Sequence, residues 1–169
     1  PRCEAGQRWE WDGVRFEVLH PAREVYESAP KPNTLSCVLH VQGAGMSALL
    51  TGDIERDQEI HLLREHPDAL RADVLLVPHH GSKTSSSAVF LDAVQPRVAV
   101  FQTGHHNRYG HPADEVLERY RERGIARVDS PHCGAWFWRS DAPDGPAASG
   151  RCTRESDHRY WHWRDPGRP

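Results

Sequence analysis

The sequence predicts a mixed α/β domain built on one mixed sheet with helices on one face. Three observations carry that expectation. Asp12-Gly13 joins two alternating stretches near the start of the chain, and Asp-Gly in that setting is a strong two-residue hairpin signal. Asp73-Val74-Leu75-Leu76-Val77-Pro78 is a compact apolar run of the kind found in a strand covered on both faces. Strands come first along the chain, then helices alternate with strands, then strands return, an order that suits such a sheet.

The elements follow in sequence. Trp9 to Leu19 reads as the hairpin, with Trp9 and Trp11 before the turn and Val14, Phe16 and Val18 alternating after it. His20 to Asn33 holds three prolines without periodicity and reads as a loop. Leu35, Cys37, Leu39 and Val41 alternate as a strand, Gly43 and Gly45 turn the chain, and Ser47 to Thr51 is the next strand. Glu55 to Arg64 is a short helix, capped by Asp53 or the turn around it. Ser85-Ser86-Ser87 caps a helix reaching about Val94. Arg97 to Gln102 is a strand, and Pro112 to Gly124 is a helix with proline at its start and glycine at its end. Ile125 to Asp129 and Ala135 to Arg139 are closing strands. We expect a domain over residues 1–139, then a linker and a polar, aromatic tail over 140–169.

Composition narrows the class. A chain of 169 residues fits one domain or most of one, at roughly 100–200 residues each. A hydrophobic share of 37% and a charged share of 27% argue against disorder and against a membrane-embedded chain. No apolar run approaches the roughly 18 residues a membrane span needs. Pro1 opens the chain with no basic-then-apolar leader, so a partial chain is expected. The net charge of −3 leaves no global footprint for nucleic acid, although a bound metal supplies positive charge locally. Cys3, Cys37, Cys133 and Cys152 form no CxxC pair, which argues against a zinc knuckle and leaves their redox state open.

The 12 histidines direct attention to clusters, because imidazole is a common metal ligand. Three segments place metal-capable residues directly after a strand. In Leu49-Leu50-Thr51-Gly52-Asp53 a strand ends in glycine and a carboxylate; alone, Asp53 also reads as an ordinary helix cap. In Val77-Pro78-His79-His80-Gly81-Ser82 two adjacent imidazoles enter a loop. Neighbouring residues point in different directions, so one can ligate while the other meets substrate, or both can be plain surface histidines. In Gly104-His105-His106-Asn107-Arg108-Tyr109-Gly110-His111-Pro112 several donors precede a helix, where Arg108 and His111 suggest a phosphate cradle or simply a polar loop. Taken together, the three can converge on one rim of the sheet, where α/β proteins bind ligands. Carboxylate oxygen with imidazole nitrogen suits zinc or manganese rather than calcium.

The ordered set Asn33-Thr34-Leu35-Ser36-Cys37-Val38-Leu39, Thr51-Gly52-Asp53, Pro78-His79-His80-Gly81-Ser82 and Asn107-Arg108-Tyr109-Gly110-His111-Pro112 resembles the C-terminal domain of ComEC-type competence proteins, over about Trp9 to Trp138. The resemblance implies the C-terminal half of a metallo-β-lactamase αββα sandwich with two divalent ions, zinc or manganese, in the complete domain. It implies Asp53 as the bridging ligand and His80 as a ligand to one metal. His79 and His111 are then the catalytic candidates, with His79 contacting the substrate phosphate or a metal ligand. Asn107, Arg108, Tyr109 and Ser82 are the substrate-side candidates. The implied activity is a DNA nuclease or phosphodiesterase of a DNA-uptake protein, carried on the outer side of a bacterial cytoplasmic membrane. Two alternatives are another hydrolase of the same fold, such as a phosphorylcholine esterase, and a degenerate domain that only binds DNA or a partner. The superfamily's HxHxDH-type motif does not occur in the chain, and His158 with His162 has the wrong spacing to replace it. The resemblance therefore places half of the fold and the membrane channel outside this sequence. The chain on its own is expected to bind metal poorly, to be inactive alone and to expose a sheet face.

Overall fold

The computed structural model describes residues 2–28, 31–105, 107–140 and 150–157. Seven strands form one sheet whose spatial order is the chain order: β1 Arg8–Trp11, β2 Val14–His20, β3 Val38–Gln42, β4 Ser47–Leu50, β5 Val74–Leu76, β6 Val98–Phe101 and β7 Ala126–Asp129. Pairing is antiparallel from β1 to β4 and parallel from β4 to β7. The change of direction follows from the connections. Tight turns join β1 to β2 and β3 to β4 and a longer loop joins β2 to β3, whereas helices α1 Arg56–Glu65, α2 Ala88–Val94 and α3 Asp114–Glu122 carry the chain back between the later strands. The mixed α/β class expected from the sequence is the class observed.

The core lies between the sheet and these helices. In register, Leu49, Leu75 and Ala99 line one face and pack with Leu62 of α1, Phe90 and Leu91 of α2 and Val116 and Tyr120 of α3. All of these are buried to within about 1% exposure, which removes their apolar surface from water at roughly 25 cal/mol per Å². The opposite face is much less covered. Trp136 and Trp138 pack over Val98, Val100, Ala126 and Val128 at one end. At the other end Trp9 stacks on Phe16 at 5.0 Å while remaining 46% exposed, and Trp11 is 69% exposed.

Several local expectations change. The third strand begins at Val38 rather than Leu35, because Pro32–Leu35 winds into a 3₁₀ turn. Helix α1 is capped by Glu55 and not by Asp53: Glu55 and Gln58 form a reciprocal capping box. Ser87 occupies the cap position of α2, yet its hydroxyl makes no cap bond. Buried Glu59 of α1 substitutes, accepting hydrogen bonds from the backbone amides of Ser86 and Ser87 (2.9 Å to the latter). The last expected strand is short, β8 Trp136–Phe137, and pairs with β9 Arg151–Cys152 rather than with the main sheet. Between β7 and β8 lies the short helix α4 Ser130–Cys133, and after β9 comes α5 Thr153–Ser156. All four cysteines are paired, Cys3 with Cys37 and Cys133 with Cys152. The second disulfide ties part of the expected tail to the domain. His158 and His162 lie outside the described residues.

Candidate metal centre

The site forms where β4, β5 and β6 end. After β4, Thr51 is fully buried and its hydroxyl donates to the Leu76 carbonyl at 2.6 Å, fastening this strand end to the next. Gly52 turns at φ +55°, and a Cβ there would sit 3.1 Å from the Ser36 side chain. Both the left-handed backbone and the close approach require glycine. The Ser36 hydroxyl then accepts the Asp53 amide at 3.1 Å, so the carboxylate of Asp53 leaves a fixed turn.

After β5 the chain makes an unusual bend. His79, His80 and Gly81 take φ values of +46°, +55° and +81° in succession. For each histidine this conformation costs about 1–2 kcal/mol, and such strain persists only where surroundings over-determine it. Here the His79 amide donates to the Gly52 carbonyl at 3.0 Å, and the Ala113 amide donates to the Gly81 carbonyl at 2.9 Å. A Cβ on Gly81 would lie 2.7 Å from the Pro112 side chain. The bend is therefore bonded to both neighbouring loops.

The two histidines have different surroundings. The Nδ1 atom of His80 lies 2.6 Å from the Gln102 carbonyl, which can only accept, so Nδ1 carries the proton. Its Nε2 lies 3.4 Å from Asp53 Oδ1. That is long for a hydrogen bond but matches two donors on one tetrahedral ion, which sit about 3.3–3.4 Å apart when each bond is about 2.0–2.1 Å. A histidine whose outer nitrogen is held by a backbone carbonyl is the usual arrangement for a metal ligand. The donors fit a divalent ion of the zinc or manganese type. His79 instead has both ring nitrogens occupied: Nδ1 is 3.2 Å from Glu55 Oε1 and 3.4 Å from the Thr84 hydroxyl, and Nε2 is 3.5 Å from Asn33 Nδ2. Among the described residues no three His, Cys, Asp or Glu side chains are grouped to hold a metal.

The third segment closes one side of the site. His111 stands edge-on to His79 with ring centroids 6.0 Å apart, and stacks on Tyr109 at 6.0 Å. Burial, together with the nearby His79 and His80, holds its imidazole below the usual histidine range. Its Nδ1 is buried without a hydrogen-bond partner among the described residues. Asn107 is spent on the loop itself, bonding both the amide and the carbonyl of His111. Arg108 bonds the Tyr109 hydroxyl at 2.7 Å and lies over its ring, and Tyr109 is 67% exposed. Ser82 is buried with its hydroxyl against Thr84. The first turn of α3 carries Asp114 and Glu115, whose charges complement the helix dipole and compete with the anion expected there. His106 lies outside the described residues.

Asp53, His79, His80 and His111 thus come together, while Ser82 and Asn107 shape the loops around them. Sequence reasoning missed Glu55, Gln102 and Glu59 as supports. Glu55 left only half a signal, since Gln58 suits the last position of a capping box whose first position is ordinarily Ser, Thr, Asp or Asn. The Gln102 contact is through backbone, and Glu59 looks like any surface helix glutamate, so neither left a signal.

The geometry defines an α/β protein with a carboxylate–imidazole pair at the carboxyl ends of its strands. The chain is 43% identical over 131 residues to competence protein ComA of Neisseria gonorrhoeae, covering 78% of this chain and 18% of that protein. It is 40% identical over 112 residues to ComE operon protein 3 of Bacillus subtilis, covering 66% and 14%. It is 40% identical over 117 residues to Recombination protein 2 of Haemophilus influenzae, covering 69% and 14%. The chain belongs to the ComEC family of competence proteins and spans less than a fifth of the length of these relatives. No family model matches it. Among solved structures it is similar to a Thermotoga maritima protein described as belonging to the metallo-β-lactamase superfamily, at 15% identity and a TM-score of 0.40, over 66% of this chain and 55% of that one. Among the described residues no helix is long and apolar enough to cross a membrane.

Proposed function

We propose that the chain supplies part of a metal-dependent phosphodiesterase site that cleaves DNA during its uptake. The observation that carries this is the His80 imidazole, anchored through Nδ1 to Gln102 with Nε2 3.4 Å from the Asp53 carboxylate. Asp53 and His80 are the ligands that this chain contributes, and the remaining ligands come from residues outside it. A divalent ion held there would supply an activated water and draw charge from the phosphoryl oxygens.

The chain's own residues orient and move protons. Glu55 and Thr84 hold His79 at Nδ1, which leaves the imidazole positioned beside the pair rather than within it. His79 and His111 face each other, so one is placed to steady the developing phosphate charge and the other to hand a proton to the leaving oxygen. Tyr109 and Arg108 border the approach to His111 and present an exposed ring and guanidinium to the DNA backbone.

The pairing of all four cysteines supports an oxidising compartment, since disulfides persist outside the cytosol. That agrees with a domain on the outer face of the membrane. The test is hydrolysis of DNA by the full-length protein with and without manganese or zinc. Metal-dependent cleavage that disappears in Asp53→Ala and His80→Ala supports the reading. Wild-type rates in either variant sink it.

A further inference from the structure

Two neighbouring cavities lie beside the site. The smaller, about 230 Å³, is bordered by His80, Tyr109 and His111. The larger, about 730 Å³, shares Thr103, Gly104, Asn107 and His111 with it and continues toward β7 and α4. His111 therefore lines both cavities.

The larger cavity combines two chemistries. Its apolar floor includes Phe101, Pro112, Leu117 and Pro131. Phe101 is buried and packed edge-on against Tyr120 at 5.1 Å, so the floor is stiff. On its rim stands Arg127, exposed on the edge strand β7 and in no ion pair among the described residues. The acid beside it, Asp129, already accepts from His132 through both the ring Nδ1 at 2.6 Å and the amide at 2.9 Å. Asp129 is thus engaged by His132, and Arg127 keeps its guanidinium out of any ion pair among the described residues.

An apolar shelf, a guanidinium in no ion pair among the described residues and a neighbouring cavity bordered by His80 suit one kind of ligand. Its ring lies on the shelf and its phosphate meets the arginine fork, which matches phosphate geometry. The volume falls in the about 300–1,000 Å³ range of small-molecule sites. It admits a nucleoside taken out of its stack and has no room for a base-paired duplex. We propose that this cavity is a nucleotide subsite, receiving from single-stranded DNA the nucleoside next to the phosphate held at the Asp53–His80 pair. The assignment of the neighbouring phosphate rests on the phosphodiesterase reading above.

The test needs no catalysis. Thymidine 5′-monophosphate is titrated into the full-length protein by calorimetry or NMR, with inorganic phosphate as the control. The nucleotide is expected to bind about tenfold more tightly than phosphate, a gain of the size that burying part of the ring's apolar surface supplies. Arg127→Glu and the cavity-filling Leu117→Trp should each remove about that factor. Leu117 also packs partly against the core, so Arg127→Glu at its exposed position decides the question if Leu117→Trp does not fold. A nucleotide that binds no more tightly than phosphate, or equally well to Arg127→Glu, overturns the subsite. Hydrolysis of bis(4-nitrophenyl) phosphate by the full-length wild-type protein reports separately on the phosphodiesterase reading, because that ester has no nucleoside. If it is not cleaved with metal while the nucleotide still binds as expected, the subsite stands and the phosphodiesterase reading falls.

Discussion

The His79–Gly81 bend and the 104–111 loop both follow a parallel strand and both carry histidine, but they are built differently. The bend holds three consecutive left-handed residues and is bonded to the turns on either side, through the Gly52 and Gly81 carbonyls. The loop is closed mainly on itself, by Asn107 across to His111, and leaves Tyr109 in solvent. Strain that is pinned from outside fixes a donor in space, as a metal requires. A self-closed loop with exposed tips can adapt, as a chain-like substrate requires.

The largest expected effect separates the two directly. In the full-length protein, Asp53→Ala or His80→Ala should lower metal-dependent hydrolysis by more than roughly 100-fold, since losing even a group behind a ligand costs about 10–100-fold. The contrast breaks down if a loop variant such as Tyr109→Ala is equally damaging.

Next is the bend itself. Gly81→Ala sets a side chain at φ +81° and 2.7 Å from Pro112, and should destabilise the fold by about 2–4 kcal/mol from strain and overpacking. Gly110→Ala, also at positive φ but with open space around it, should cost only about 1–2 kcal/mol. Denaturant midpoints of the two variants measure the difference, and equal values would remove the distinction between the regions.

A third effect concerns the far end of the bend's loop, anchored by Glu59 to Ser86 and Ser87. Burial raises the Glu59 carboxyl above its ordinary value of 4.5, against the opposing pull of its hydrogen bonds with Ser87 and Ser86. The folded state therefore holds the proton more tightly than the unfolded state. This contribution to stability is complete below the ordinary value and is lost as pH rises through the raised one. The stability gap between the wild type and Glu59→Gln should accordingly shrink as pH climbs from about 4.5. Melting curves across that range check the sign, and a gap that widens with pH contradicts it.

The smallest effect lies in the loop. Tyr109→Ala removes a stacked ring worth about 0.5–1.5 kcal/mol, so KM for DNA should rise by roughly threefold to tenfold with metal affinity unchanged. A change in metal affinity would show that the loop positions the ligands after all.

Much of this was legible in the sequence. Asp12-Gly13, the apolar run at 74–77 and the alternation after it led to the right elements, because turn chemistry and periodicity are local properties. The three strand-end clusters were legible for the same reason, since glycine beside a polar residue at a strand end marks where the chain can turn. What could not be read were supports that come from distant backbone or look ordinary: Gln102 to His80, Glu59 to α2, and Glu55 to His79. Of the two caps the sequence allowed, Asp53 or the turn around it, the structure uses Glu55 of that turn, which leaves the Asp53 carboxylate facing His80.

The sequence by itself determined the strand and helix order, the left-handed turns at glycine, and which donors stand at the strand ends. Those follow from the conformational limits of individual residues and from short-range periodicity. Only the tertiary structure decided which of two adjacent histidines faces Asp53, how the cysteines pair, and that Arg127 stands, among the described residues, without an ion pair beside an apolar cavity. These depend on distances between residues far apart in the chain, and no local preference encodes them.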